Sequence, residues 1–254
     1  MKVRLAAAAA VLGVLAMASA AFAAPLDLKL HPVGQGKDTH ASWVGGIGEA
    51  DTTGAANQAF RLTNGDTDGN GSAAIIRGIE DVPVNTITSL SYEYRKDGRC
   101  SKTDPRWTLF VQGKSGRQYV VNVGCAEAAP STGSTLGWIR RTATQPFLRM
   151  EVLRKAGTDA LAGRLTGLAL AYDQTVGSIL VDNITVASKL GKQTWTSAAD
   201  NGNDPSGPDG FTDEQAALLA LPFSIDELTY VDDLLASATS DEWAAIQVDA
   251  DPAP

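Results

Sequence analysis

The sequence predicts an all-β chain, an antiparallel β-sandwich that ends in a short acidic α-helical extension, and three observations carry that expectation. Short runs of alternating apolar and polar residues, separated by turn clusters, fill residues 55–187. Two cysteines, Cys100 and Cys125, bracket one pair of these runs. No Lys or Arg follows Lys192, whereas 13 Asp and Glu do, so residues 193–254 carry −13 against +3 for residues 24–192.

The first 23 residues have their own pattern. Lys2 and Arg4 precede an uncharged run from Leu5 to Met17, and Ala21-Phe22-Ala23 has the small-x-small spacing that a signal peptidase cuts after. The sequence therefore predicts a signal peptide over 1–23, a mature chain from Ala24 and an extracellular address, with Ala18-Ser19-Ala20 as the alternative cut. The apolar run is too short to span a bilayer, no second span follows, and no lipidation or sorting motif is present, so free secretion is expected.

Residues 24–54 are rich in Gly and polar residues, with Pro25 and Pro32, and read as an extended lead-in. The sandwich is expected over 55–192. Its nine candidate strands are Gln58–Thr63, Ala73–Ile79, Ser89–Arg95, Arg106–Gln112, Arg117–Val123, Leu136–Arg140, Phe147–Leu153, Leu165–Tyr172 and Ser178–Ala187. Leu90, Tyr92 and Tyr94 share one face, and Trp107, Leu109 and Val111 another, which is the pattern of sheets with one buried side. Trp107 and Tyr119 are assigned to the core.

In an oxidising compartment Cys100 and Cys125 are expected to pair, closing a loop for which chain entropy gives about 3.5 kcal/mol. Gly113-Lys114-Ser115-Gly116 reads as a hairpin turn that brings the strands next to the two cysteines side by side. There is no Cys-x-x-Cys, and His31 and His40 lie far away in the lead-in, so a redox or metal role for the cysteines is not expected.

Residues 193–210 read as a solvated Ser/Asp/Asn/Gly/Pro linker and 211–254 as an acidic helical tail. Thr212 with Gln215, Ser224 with Glu227 and Thr239 with Glu242 are capping-box pairs, and Phe223 with Leu228 makes a hydrophobic staple. Such short helices need packing to persist. Three roles are open to the tail: solvated acidic faces, folding back onto Arg140, Arg141, Arg154 and Lys155, or capture of a surface protein through its apolar stripes. A near-neutral body with an acidic tail gives no reason to expect a nucleic-acid partner.

Two groups suggest chemistry. Asp66, Asp68 and Asn70, followed by Gly71, place oxygen side chains at alternate positions, as an EF-hand loop begins; Arg77 stands where the bidentate Glu would close it. An Asn-Gly turn explains the same residues. In Ile179 to Val186, alternation places Asp182 on one row with Leu180, Ile184 and Val186, where a carboxylate needs a partner: Ca²⁺, backbone amides at a bulge, or a nearby Arg. For sugar stacking the candidates are Trp138 with Arg140 and Arg141. No nucleophile elbow, zinc-protease helix or phosphate loop occurs. Glu93 and Asp182 come nearest to a carboxylate pair for glycoside cleavage.

The run Val181-Asp182-Asn183-Ile184 with its flanking apolar residues resembles the last strand of secreted jelly-roll domains grouped as galactose-binding-like or carbohydrate-binding modules. The resemblance covers about residues 55–190. It implies a jelly-roll form for the sandwich and, for Asp182, a structural or calcium-ligating role. Gly98-Arg99-Cys100, Pro105-Arg106 and Gly124-Cys125 also resemble a pattern of secreted bacterial domains, with Ser101-Lys102-Thr103-Asp104 in place of their small-residue stretch. That pattern names no activity. The expectation is therefore a secreted, non-catalytic module binding polysaccharide, the alternative being an extracellular structural or interaction protein that works through its tail.

Overall fold

The computed structural model describes residues 26–49, 57–65, 71–133 and 135–201. The expected signal segment, the Asp66, Asp68 and Asn70 group and the helical tail lie outside the described residues. Among the described residues twelve strands and one α-helix follow one another: β1 (Lys29–Gly34), β2 (His40–Gly45), β3 (Gln58–Asn64), β4 (Ser72–Arg77), β5 (Ile87–Arg95), β6 (Arg106–Gln112), β7 (Gln118–Gly124), β8 (Ala129–Thr132), β9 (Trp138–Thr144), α1 (Gln145–Leu161), β10 (Arg164–Tyr172), β11 (Gly177–Ser188) and β12 (Gly191–Trp195).

The strands form two antiparallel sheets, ordered β1-β4-β10-β6-β7 and β2-β3-β11-β5-β9-β8, with β12 added beside β11. The pairings are nested. The hairpin β6·β7 is the innermost, and β5·β9, β4·β10 and β3·β11 enclose it in turn. Between the sheets lies one apolar core, in which Tyr92 of the larger sheet meets Trp107 of the smaller at 6.2 Å between ring centroids. Leu90, Tyr92, Tyr94, Trp107, Leu109 and Val111 are all buried there, on the faces that alternation assigned them. Tyr119 is half-buried against the same core and donates its hydroxyl to Asp159.

The turn at Gly113–Gly116 closes β6 onto β7, with Gly113 N–H donating to Arg117 O and Gly116 taking φ 88°. Cys100 and Cys125 are joined in a disulfide, with Cα atoms 5.3 Å apart. The strand reading holds at eight of the nine positions, within a few residues at each end.

Three segments depart from the sequence reading. Residues 147–153 are helical, not extended, because Leu148, Val152 and Ala156 recur every four residues and bury one stripe, and Pro146 sits in the first turn where its missing N–H costs nothing. Gly157, at φ 75° and ψ −176°, breaks that helix into two pieces. The lead-in contributes two paired strands, β1 and β2. Its apolar anchors are few but deep: Leu28 and Leu30 are buried, and Trp43 packs edge-on against Phe60 at 5.2 Å. Pro32 is tolerated because β1 is a sheet edge. Finally, Gln193, Thr194 and Trp195 belong to β12 rather than to a linker, since Trp195 is fully buried in the core.

Candidate functional site

β11 carries the feature around which the site is built. One edge pairs with β3 over Gly177–Val181 and then with β12 over Ile184–Ser188; the other pairs with β5. Between the two partners the strand bulges. Asp182 stands opposite Glu93 and Thr185 opposite Ser91, so three steps along β11 match two along β5. Asn183 takes φ 49°, a backbone state that Asn accepts more readily than most residues.

The extra residue inverts the alternation. Leu180 joins Ala59 and Trp138 on the outer face of the larger sheet, while Ile184 and Val186 belong to the main core. Asp182 therefore shares a row with Leu180 alone, not with Ile184 and Val186 as strict alternation predicts. Two backbone amides partner it: Oδ1 accepts from Asn183 N–H in the bulge at 2.7 Å and Oδ2 from Glu49 N–H at 2.8 Å.

Two loops cover this part of the face. Residues 46–49 bring Glu49, whose Oε1 accepts from the Thr135 amide and hydroxyl and whose Oε2 accepts from Asn183 Nδ2 at 2.7 Å. Gly133 approaches so closely that a Cβ there would lie 2.8 Å from Glu93 Oε2. Glu93 is held by Arg140, through Nε at 2.8 Å and a second contact from Nη2. Asp182, Glu49 and Glu93 are only 2, 4 and 0% exposed. Burial pushes the Asp182 carboxyl up to about 7; the two amide donors oppose this, and the nearby Glu49 and Glu93 reinforce it. The pair singled out for glycoside cleavage is thus brought together but lies beneath the loops. Among the described residues no group of three or more His, Cys, Asp or Glu has an arrangement that could hold a metal ion.

The stacking trio does not converge. Trp138 is 6% exposed and packs with Ala59 and Leu180, so its ring offers no open face for a sugar. Arg140 turns outward to Glu93, while Arg141 lies over the Tyr94 ring at 5.8 Å and donates to Ala128 O at 3.2 Å. Consecutive residues of a strand face opposite ways, which is why Arg140 and Arg141 separate.

Beside the covered region the same face is open. A cleft of about 170 Å³ is lined by Arg61, Arg95, Asp97, Gly98, Ser178, Ile179 and Leu180. Arg61 on β3 is the register partner of Leu180, and Arg95 on β5 lies one step beyond the Tyr94–Val181 pair, so two guanidiniums flank Leu180. Arg95 grips Asp97 with Nε at 2.7 Å and Nη2 at 2.6 Å, which holds the Asp97 carboxyl below the usual carboxylate range. Sequence reading missed this cleft and Glu49 alike: Arg61, Arg95 and Ser178 are far apart in the chain, and Glu49 follows a glycine-rich stretch without periodicity.

A second buried ionic group lies near the disulfide. Asp173 takes both terminal nitrogens of Arg106, and Asp104 accepts from the amides of Asp173 at 3.2 Å and Gln174 at 2.8 Å. Burial, with the charge of Asp173, pushes Asp104 up to about 6.

The basic residues offered to the tail already have partners in the body. Arg140 holds Glu93, Arg154 holds Glu151, Lys155 lies against Glu151 and Glu127, and Arg141 caps Tyr94. No helix among the described residues is long and apolar enough to cross a membrane. No protein-family model matches the chain, and neither the curated proteins nor the solved structures searched contain a match.

Proposed function

We propose that this chain is a secreted, non-catalytic binding module of jelly-roll form whose ligand is carbohydrate, bound in the cleft between β3, β11 and β5. The nested pairing supports the jelly-roll reading, since a long hairpin rolled into two sheets gives that order. The observation that carries the binding reading is the row Arg61, Leu180, Arg95 with Asp97 beside it. Guanidinium donors and a carboxylate acceptor, set on paired strands, suit the hydroxyls at the edge of a sugar ring. The burial of Glu93 and Asp182 favours binding over cleavage, because a general acid or base must reach its substrate. The Cys100–Cys125 disulfide is consistent with an oxidising, extracellular setting.

The test is retention of the protein by a panel of immobilised polysaccharides, once with calcium and once with chelator. Retention by one polysaccharide, weakened by Asp97→Ala, bears the reading out; retention by none overturns it. Loss in chelator would bring Asp66, Asp68 and Asn70 in as calcium ligands.

A further inference from the structure

We infer that the cleft selects an acidic saccharide, its carboxylate held by Arg61; the inference rests on the carbohydrate reading above and names the ligand's charge. Arg95 and Asp97 neutralise one another through two hydrogen bonds. Arg61 is half-buried in the same cleft, and among the described residues it has no hydrogen bond or ion pair. Among the described residues the lining therefore carries one uncompensated positive charge.

A guanidinium partly withdrawn from water is best satisfied by a planar anion that meets its parallel N–H donors, and a carboxylate has that shape. The position of Arg61 sets the rest. It lies on β3 and Arg95 on β5, with β11 between them, so the backbones of the two arginines are separated by about 10 Å. A ligand that uses both must present its carboxylate at one end and hydroxyls at the other, across the apolar Leu180. Small acids are too short for this. A uronic acid unit within a chain of linked rings meets both requirements.

The probe is trigalacturonate, with its methyl ester as the neutral counterpart, titrated calorimetrically into the purified protein. The acid is expected to bind about 10- to 100-fold more tightly than the ester, the range that a charged hydrogen-bond pair supplies. Arg61→Gln should abolish that preference by weakening the acid far more than the ester, while Arg61→Lys should retain part of it. An unchanged thermal melt of Arg61→Gln shows that the fold is intact. Equal binding of acid and ester overturns the inference and leaves the carbohydrate reading standing. If no saccharide binds, both fall. Binding of poly-glutamate as tight as that of trigalacturonate would instead make the site one for acidic polypeptide, and would overturn the saccharide class.

Discussion

Asp182 and Glu93 face one another across the β11·β5 ladder, two buried carboxylates in directly opposed register on the outer face of the larger sheet. They are tolerated because their surroundings divide the work. Glu93 is given a cation, Arg140, and Asp182 is given two backbone amides. Like charges placed opposite each other in a sheet otherwise destabilise it.

The first consequence is a pH dependence. A carboxyl whose pKa is raised by folding binds its proton more tightly in the native than in the unfolded chain, so stability from that group is greatest at acid pH and falls as pH rises through the native value. For Asp182 the window runs from its ordinary range near 4 to about 7, and for Asp104 from there to about 6. The protein should therefore melt at a higher temperature at pH 5 than at pH 8, and Asp182→Asn should cost more stability at pH 5 than at pH 8. Melting curves of both proteins at the two pH values read this directly, and a cost for the variant that does not change with pH would contradict it.

A second prediction concerns the Arg140–Glu93 pair. Glu93 is fully buried, so Arg140→Ala strands a charge inside the protein, whereas Glu93→Gln removes the charge and leaves a half-buried arginine that water still reaches. Arg140→Ala should cost about 2–4 kcal/mol, Glu93→Gln less, and the double variant less than the sum of the two. Urea unfolding of the four proteins closes the cycle. Additive losses would mean that the two side chains are not coupled.

Much of the sandwich was legible because alternation and turn residues are local signals. Trp107, Leu109 and Val111 sit where their spacing places them, and the 113–116 turn explains why Cys100 and Cys125 meet. What the sequence concealed was non-local. A single extra residue at Asn183 reverses which face Ile184 and Val186 occupy, and only the partner strand β5 reveals it. Leu148, Val152 and Ala156 form the buried stripe of a helix, but the apolar cluster around Phe147 reads as a strand in the sequence. The cleft unites Arg61, Arg95 and Ser178, which no spacing rule connects.

A third prediction follows from the disulfide. Joining residues 25 positions apart restricts the unfolded chain, which the entropy model puts at about 3.5 kcal/mol. The Cys100→Ser, Cys125→Ser variant should lose about that much in denaturant unfolding while keeping its far-ultraviolet spectrum, because the β6·β7 hairpin beside the bridge has its own ladder of hydrogen bonds. A loss of secondary structure under native conditions would show instead that the hairpin depends on the bridge.

The last prediction separates the loop cover from the sheet beneath it. Gly133 brings its loop against Trp138 and Glu93, and a Cβ there would stand 2.7 Å from Trp138 carbonyl atoms and 2.8 Å from Glu93 Oε2. Backbone cannot yield as a flexible side chain does, so Gly133→Ala must lift the loop or shift β9, at about 1–3 kcal/mol. Lifting the loop exposes Asp182 and Glu93 to water, which weakens the burial that holds the Asp182 carboxyl near 7. The variant should thus be less stable at pH 5 and show a smaller difference between pH 5 and pH 8 than the parent. A lower melting temperature with the full pH difference retained would place the adjustment in β9 and leave the carboxylates covered.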